Sequence, residues 1–173
     1  MEKNYLQQIN SKIVTLEMAQ TLIKKWQENG EKVVFTNGCF DILHQGHVTY
    51  LAKSADLGQR LVIGLNSDSS VRAQNKGSER PINAENSRAL LLAALAFTDL
   101  ILIYDDATPV KVIQTLLPDV LVKGADYDEN ETDSSKKTYI VGSDTVRANG
   151  GEVKTIALEI GFSTTNIVKK LKG

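Results

Sequence analysis

Val33-Val34-Phe35-Thr36-Asn37-Gly38-Cys39-Phe40-Asp41-Ile42-Leu43-His44-Gln45-Gly46-His47 decides how the rest of the chain is read. Its apolar opening, Val33 to Phe35, reads as a buried strand. Its end meets a new apolar period at Val48, Tyr50, Leu51 and Ala55, which reads as a helix running from about Gly46 to Ala55. The polar middle is therefore a strand-to-helix loop. It holds both histidines of the chain, three residues apart, at a helix N-terminus where free backbone N–H groups favour an anion.

Outward from that loop the same alternation repeats. Residues 1–14 are polar and mixed, an arm or short helix, and residues 15–173 read as one domain. Thr15 caps a helix carrying Leu16, Ala19, Leu22, Ile23 and Trp26, and Gly30 ends it. Arg60 to Leu65 is a second apolar strand, followed by Asn66-Ser67-Asp68 and a charged, glycine-containing loop. A helix over Ala84 to Ala96 carries Arg88. Asp99 to Tyr104 is a third strand, and Thr108-Pro109 opens a further helix with proline at its first position. Asp119 to Val122 is a fourth strand, leading into Lys123-Gly124-Ala125-Asp126-Tyr127. Asp128 to Thr138 has no apolar period and reads as a flexible insertion or exposed loop. Gly142 to Asn149 forms a short helix and Glu152 to Ala157 a fifth strand. Ser163 to Leu171 closes with a helix capped by Ser163 or Thr164.

The strands are continuous apolar runs, the pattern of a parallel sheet buried on both faces. The fold expected is α/β: a single doubly wound, Rossmann-like parallel five-stranded sheet with helices on both faces. Such sheets bind ligands beyond the carboxyl ends of their strands at the point where the winding reverses. The polar clusters after strands one, two and four, and the start of the last helix, should therefore meet at one edge.

Composition narrows the function. With 173 residues, 42% hydrophobic and 24% charged, the chain is long enough for a substantial core. A net charge of −1 shows no overall pull toward nucleic acid or membrane. No apolar run reaches the roughly 18 residues of a membrane span, and one cysteine suits a reducing cytoplasm. Neither GxGxxG nor GxxxxGK[ST] is present.

His44-Gln45-Gly46-His47 suits phosphate chemistry. Imidazoles there can donate to phosphate oxygens and stabilise charge as it builds, while Gly46 lets a ligand approach the backbone. A zinc site fails for lack of ligands, with one cysteine and no third histidine; no protein-held metal is expected. Ser163, Thr164 and Thr165 put hydroxyls at a second helix start.

TNGCFDILHQGH resembles the signature of the HxGH nucleotidyltransferase superfamily, and Gly161-Phe162-Ser163-Thr164-Thr165-Asn166-Ile167 matches its second mark. TNGCFD, GLNSDSSV, RPIN, PDVLVKG-x-DY, IVGS, GGEV and GFSTTNIVKK are more closely similar to the adenylyltransferase domain of ADP-heptose synthesis, in the same order over roughly residues 12 to 171. Many members of that family fuse this domain to a sugar kinase. The resemblance implies transfer of AMP from ATP to D-glycero-β-D-manno-heptose 1-phosphate, giving ADP-heptose and pyrophosphate. It also implies Mg²⁺ carried by ATP, a homodimer, and no nucleic-acid or membrane partner. Two alternatives stay open: a cytidylyltransferase acting on glycerol 3-phosphate or a similar alcohol phosphate, and a non-catalytic nucleotide sensor. Leu158-Glu159-Ile160 stands where the related cytidylyltransferases have an arginine, which counts against the first. Asp128 to Thr138 is longer than the family's usual link, and Ala125 replaces a common second glycine.

Under this resemblance His44, His47 and Lys76 are the catalytic candidates. Thr36, Asn37, Gly38, Cys39, Phe40, Gly46, Arg88, Lys123, Gly124, Asp126, Ser163, Thr164 and Thr165 would bind nucleotide or phosphate. Arg88 lies on a helix that otherwise reads as core, so it needs a phosphate or a loop carboxylate. Asn66 and Asp68 are placed for the sugar phosphate. Asp41 either joins them or orients the loop.

Overall fold

The computed structural model describes the whole chain except residues 1–3, 75, 76, 78, 160 and 173. In chain order it forms α1 (Tyr5–Asn10), α2 (Leu16–Glu28), β1 (Val33–Gly38), α3 (Gln45–Ala55), β2 (Arg60–Asn66), α4 (Asp68–Ala73) and α5 (Glu85–Ala93). Then follow β3 (Leu100–Tyr104), α6 (Val110–Leu116), β4 (Val120–Gly124), α7 (Ser143–Ala148), β5 (Glu152–Ile156) and α8 (Thr164–Lys172). All five strands are parallel, in the order β3-β2-β1-β4-β5. The winding runs outward from β1 through β2 to β3, then returns to β4 and β5 on the other side. The reversal falls between β1 and β4, which is where a ligand cleft is expected.

The continuous apolar runs are explained by burial on both faces. Val33 and Phe35 of β1 point into a cluster with Ala19 and Ile23 of α2, Val112, Ile113 and Leu116 of α6, and Val146 of α7. Val34 points the other way, toward Tyr50 and Leu51 of α3 and Ala89, Leu92 and Ala93 of α5. This is the two-residue alternation of a strand, with both faces apolar because helices cover both.

Gly64, inside β2, has a packing reason to be glycine. A Cβ there would lie 2.8 Å from the Phe35 ring and 3.3 Å from the Asn37 Cβ. Phe35 is completely buried, so the ring has nowhere to retreat. Gly64→Ala is expected to destabilise the protein by about 1–3 kcal/mol, the usual cost of overpacking. At this chain length each kcal/mol lowers Tm by about 2–4 °C, which calorimetry would register; an unchanged Tm would contradict the close fit.

Four segments differ from the sequence reading or sharpen it. The polar stretch after β2 is a loop only in part, because it begins with the helix α4. Ser67 Oγ accepts from Ser70 N at 3.1 Å to cap it, and Val71 is its one fully buried apolar residue, too little to show a period. The N-terminal stretch contains α1, with Asn4 Oδ1 accepting from Gln7 N at 3.0 Å, and Ile13 bridges to Ile101 beside β2 and β3. Residues 128–138 are mostly exposed, which fits the second of the two expectations, an exposed loop, and the stretch is anchored to the body at Glu129. The Glu129 carboxylate accepts from Thr155 N at 2.7 Å and from its hydroxyl at 3.1 Å, and Arg147 donates to the Glu129 carbonyl. The loop thereby covers backbone of the edge strand β5. Pro109 is the N-cap of α6, one residue before the first helical position.

Candidate active site

The loop after β1 turns sharply at Phe40, whose φ of +43° puts a bulky residue in the left-handed region. The surroundings hold it there. Its ring packs over Gly38, where a Cβ would come within 3.0 Å, and meets the His47 ring edge-on at 5.2 Å between centroids. His44 is the N-cap of α3, and its Nδ1 accepts from His47 N at 3.3 Å. An accepting Nδ1 carries no proton, so this hydrogen-bond pattern assigns the neutral ring's proton to Nε2, the nitrogen left for a ligand. The two imidazoles stack with centroids 3.7 Å apart and planes 15° from parallel. Gly46 makes room beside them, since a Cβ there would come within 3.1 Å of both the His44 ring and Phe162.

Burial pushes the His44 imidazole below its usual range, against a smaller backbone effect. His47 is pushed down to about 4, first by burial, then by repulsion from His44, with Arg80 adding to it and the Ile42 backbone opposing. His47 Nδ1 is enclosed and makes no hydrogen bond of ordinary geometry with the described residues. Both rings are therefore neutral near pH 7. An incoming polyanion reverses the sign of this field and favours proton uptake.

The depressed His47 has a consequence for stability. Between pH 6.5 and about 4 the unfolded chain binds a proton that the folded site refuses, so stability falls as pH is lowered through that window. In the unliganded protein His47→Gln is expected to flatten the dependence of Tm on pH there. Parallel curves for the two proteins would contradict it.

Beneath the loop lies a brace that the sequence did not reveal. Asp41 is 1% exposed. Its Oδ1 accepts from Ile82 N and Asn83 N at 2.8 and 3.0 Å, its Oδ2 lies 2.5 Å from Arg80 Nε, and its carbonyl accepts from Asn83 Nδ2 at 2.6 Å. Of the two roles expected for Asp41, this geometry matches orienting the loop. Arg88, also 1% exposed, donates to the carbonyls of Cys39, Asn66 and Asn83 at 2.6, 2.8 and 2.9 Å and to Asp68 Oδ1 at 2.7 Å. Its partners are thus the Asp68 carboxylate at the start of α4 and three main-chain oxygens, which corrects its placement among the phosphate ligands. Asp68 is held in that pair and lines neither cleft described below. Thr36 is likewise interior, with its hydroxyl 2.7 Å from the Tyr50 hydroxyl.

Above the brace opens a cleft of about 300 Å³, walled by Asn37 to Phe40, His44, Gly46, His47, Lys123, Gly124, Asp126, Ser163 and Thr164. The sequence-predicted residues from β1, β4 and α8 do converge. Ser163 Oγ caps α8 by accepting from Asn166 N at 3.1 Å; Thr165 is exposed and outside the wall. Lys123 Nζ reaches the Asn37 carbonyl at 3.4 Å and lies 5.4 Å from the Tyr127 ring centre. Lys76 lies outside the described residues. Tyr127, the last residue of the cluster expected after strand four, and Leu158 and Phe162, which the sequence reading did not assign to the site, give one end of the cleft an apolar wall. Leu158 and Phe162 are 54% and 45% exposed and both stand on the wall of the cleft. Gly124 keeps that end open, since a Cβ there would meet Asp126 at 2.6 Å and Leu158 at 3.1 Å. The Lys53–Glu159 ion pair, 3.0 Å long, fastens the Leu158 segment to α3.

A second cleft of about 250 Å³ shares the wall formed by Asn37, Gly38, Cys39, Lys123 and Tyr127, and extends toward the ends of β2 and β3. Of the three residues expected to hold a sugar phosphate, Asn66 alone lines it. Among the described residues no group of three or more His, Cys, Asp or Glu could hold a metal ion, and no helix is long and apolar enough to cross a membrane.

A parallel sheet with stacked imidazoles and a hydroxyl-bearing helix start at its switch point defines a nucleotidyltransferase of Rossmann-like type. The chain belongs to the cytidylyltransferase-like family, whose model matches residues 35–170. It is 49% identical over 162 residues to "Bifunctional protein HldE" of Magnetococcus marinus, covering 94% of this chain and 31% of that one, and 48% identical to the protein of the same name from Rhodospirillum rubrum. The chain thus spans about a third of the length of these relatives. Among solved structures, the lipopolysaccharide core biosynthesis protein of Thermoplasma volcanium matches with a TM-score of 0.57 and 30% identity, over 75% of this chain and 98% of that one. Pantoate-beta-alanine ligase of Francisella tularensis matches with a TM-score of 0.60 at 11% identity, over 92% of this chain and 76% of that one, a likeness of fold.

Proposed function

We propose that this chain transfers AMP from ATP to D-glycero-β-D-manno-heptose 1-phosphate, giving ADP-heptose and pyrophosphate. The observation that carries the transfer is the stacked His44–His47 pair at the start of α3, across the cleft from Ser163 and Thr164. The heptose acceptor is supported by the sequence resemblance and by the names of the relatives, which include a lipopolysaccharide core biosynthesis protein.

An ionised oxygen of the acceptor phosphate attacks the α-phosphorus. A new P–O bond forms as the bond from the α-phosphorus to the bridging oxygen breaks, and pyrophosphate leaves with the electron pair. The nucleophile is already deprotonated, so the protein supplies alignment and charge stabilisation without a general base. His44 Nε2–H and His47 donate to the phosphates as charge builds. Ser163, Thr164 and the backbone N–H groups at the start of α8 hold the β- and γ-phosphates. Lys123 stands beside the attacked centre. Tyr127, Leu158 and Phe162 cover the faces of the base. Asp41 and Arg88 position the loops and touch no reactant.

Mg²⁺ belongs to the same reading and would offset the charge of the triphosphate. The phosphate end of the cleft offers imidazoles, hydroxyls and an ammonium, so the ion would be held by phosphate oxygens and water. A cytoplasmic setting and a homodimer complete the reading; sedimentation equilibrium checks the latter.

The test is release of pyrophosphate from each NTP paired with each acceptor. Turnover with ATP and heptose 1-phosphate is expected. Turnover with CTP and glycerol 3-phosphate, and none with ATP, would favour the second reading that the family's description suggests.

A further inference from the structure

The second cleft differs in chemistry from the first. Beyond the shared wall it is lined by Asn66, Gln74, Tyr104 and Thr108, which are polar and uncharged, and by Ala107, Pro109 and Val141. These groups are preset. Tyr104 is 6% exposed, and its hydroxyl accepts from Asn37 Nδ2 at 2.9 Å. Asn37 Oδ1, on the shared wall, is enclosed and has no hydrogen-bond partner among the described residues. Gln74 Oε1 accepts from Cys39 Sγ at 3.3 Å, and its amide nitrogen has no partner among the described residues. An uncommitted amide donor beside the Tyr104 and Thr108 hydroxyls suits a ligand whose groups both donate and accept, as sugar hydroxyls do. Lys123, on the shared wall, is the one charged residue lining this cleft among the described residues.

We infer that this second cleft is a polyol subsite, in which Gln74, Tyr104 and Thr108 select an acceptor by its hydroxyl groups while Lys123 holds its phosphate at the boundary with the first cleft. The inference rests on the adenylyl-transfer reading and adds to it the residues that choose the acceptor. Lys123, the one cation lining the cleft among the described residues, sets the acceptor's direction: the anionic end faces the α-phosphorus and the hydroxyl-bearing end faces β2 and β3. At about 250 Å³ the hollow falls below the range of about 300–1,000 Å³ typical for drug-sized ligands. A single sugar phosphate suits that size. A three-carbon alcohol phosphate would reach Lys123 and leave the far amides without partners, a penalty that sites built around hydroxyl groups impose strongly.

Gln74→Leu combined with Thr108→Val removes two selecting groups that line the second cleft alone. Calorimetric binding of D-glycero-β-D-manno-heptose 1-phosphate would be measured in the presence of an ATP analogue with a non-cleavable α–β bridge. The variant is expected to bind the sugar phosphate at least about tenfold more weakly, with analogue affinity within twofold of the parent. The parent is expected to bind glycerol 3-phosphate more weakly than heptose 1-phosphate. Unchanged sugar-phosphate affinity in the variant, equal loss of both ligands, or no sugar-phosphate binding by the parent would overturn the inference. Tyr104→Phe gives an independent arm, expected to weaken the sugar phosphate and spare the analogue. If binding follows this pattern and no pyrophosphate is released, the transfer reading fails while the subsite stands.

Discussion

His47→Ala is expected to lower kcat about 10²–10³-fold, the usual cost of removing one preorganised donor from a site of developing charge, while the Kd for ATP changes no more than a few-fold. The separation follows from where the ring sits. It is stacked on His44, edge-on to Phe40, and largely buried, so it carries little positive charge before a ligand arrives. A neutral, half-desolvated imidazole is a modest ligand for ground-state ATP. It becomes a strong donor as negative charge accumulates on the transferring phosphate. Single-turnover rates and equilibrium binding, measured on the same preparation, check this. Equal losses in both would mean that the ring contributes uniform binding and nothing specific to the transition state.

Arg88→Leu is expected to cost about 3–5 kcal/mol, the range for breaking a buried charge pair on one side, and so to lower Tm on the order of 10 °C. The substitution takes the guanidinium away from the Asp68 carboxylate and leaves the carbonyls of Cys39, Asn66 and Asn83 each short of a donor, around a position where Arg88 itself is 1% exposed. Arg88→Lys should recover only part of the loss. An ammonium supplies one compact centre, whereas these partners are spread around a planar fork. Thermal denaturation of both variants checks the order. A lysine variant as stable as the parent would show that charge alone matters at this position.

The sheet was legible because its strands are unbroken apolar runs separated by capped helices, and parallel strands need that pattern. The phosphate loop was legible because histidine, glycine and strand end coincide within 15 residues, Val33 to His47. Arg88 was half legible: an arginine on a core-facing helix must have a partner, but the sequence cannot say that three of its partners are main-chain oxygens. Asp41 was ambiguous for the same reason, since its partners sit about forty residues away, at Ile82 and Asn83. α4 was hidden because Val71 is its one fully buried apolar residue. Leu158 and Phe162 were passed over because apolar residues between a strand end and a helix start look like packing, and only the structure shows them exposed beside a cleft. Gln74 comes from the end of α4, after β2, while Tyr104 and Thr108 come from the end of β3 and the loop after it, and the two segments become neighbours through the pairing of β2 with β3.

The Arg88 brace grips backbone carbonyls at Cys39 and Asn66, and leaves the side chains at those two positions outside its grasp. Those same side chains line the second cleft. The scaffold thus separates the part of each loop that sets its course from the part that meets a ligand. Evolution, or a protein engineer, can exchange the side chains at 39 and 66 for others of similar size to suit a new acceptor, while the main-chain track that carries the imidazoles stays anchored where it was.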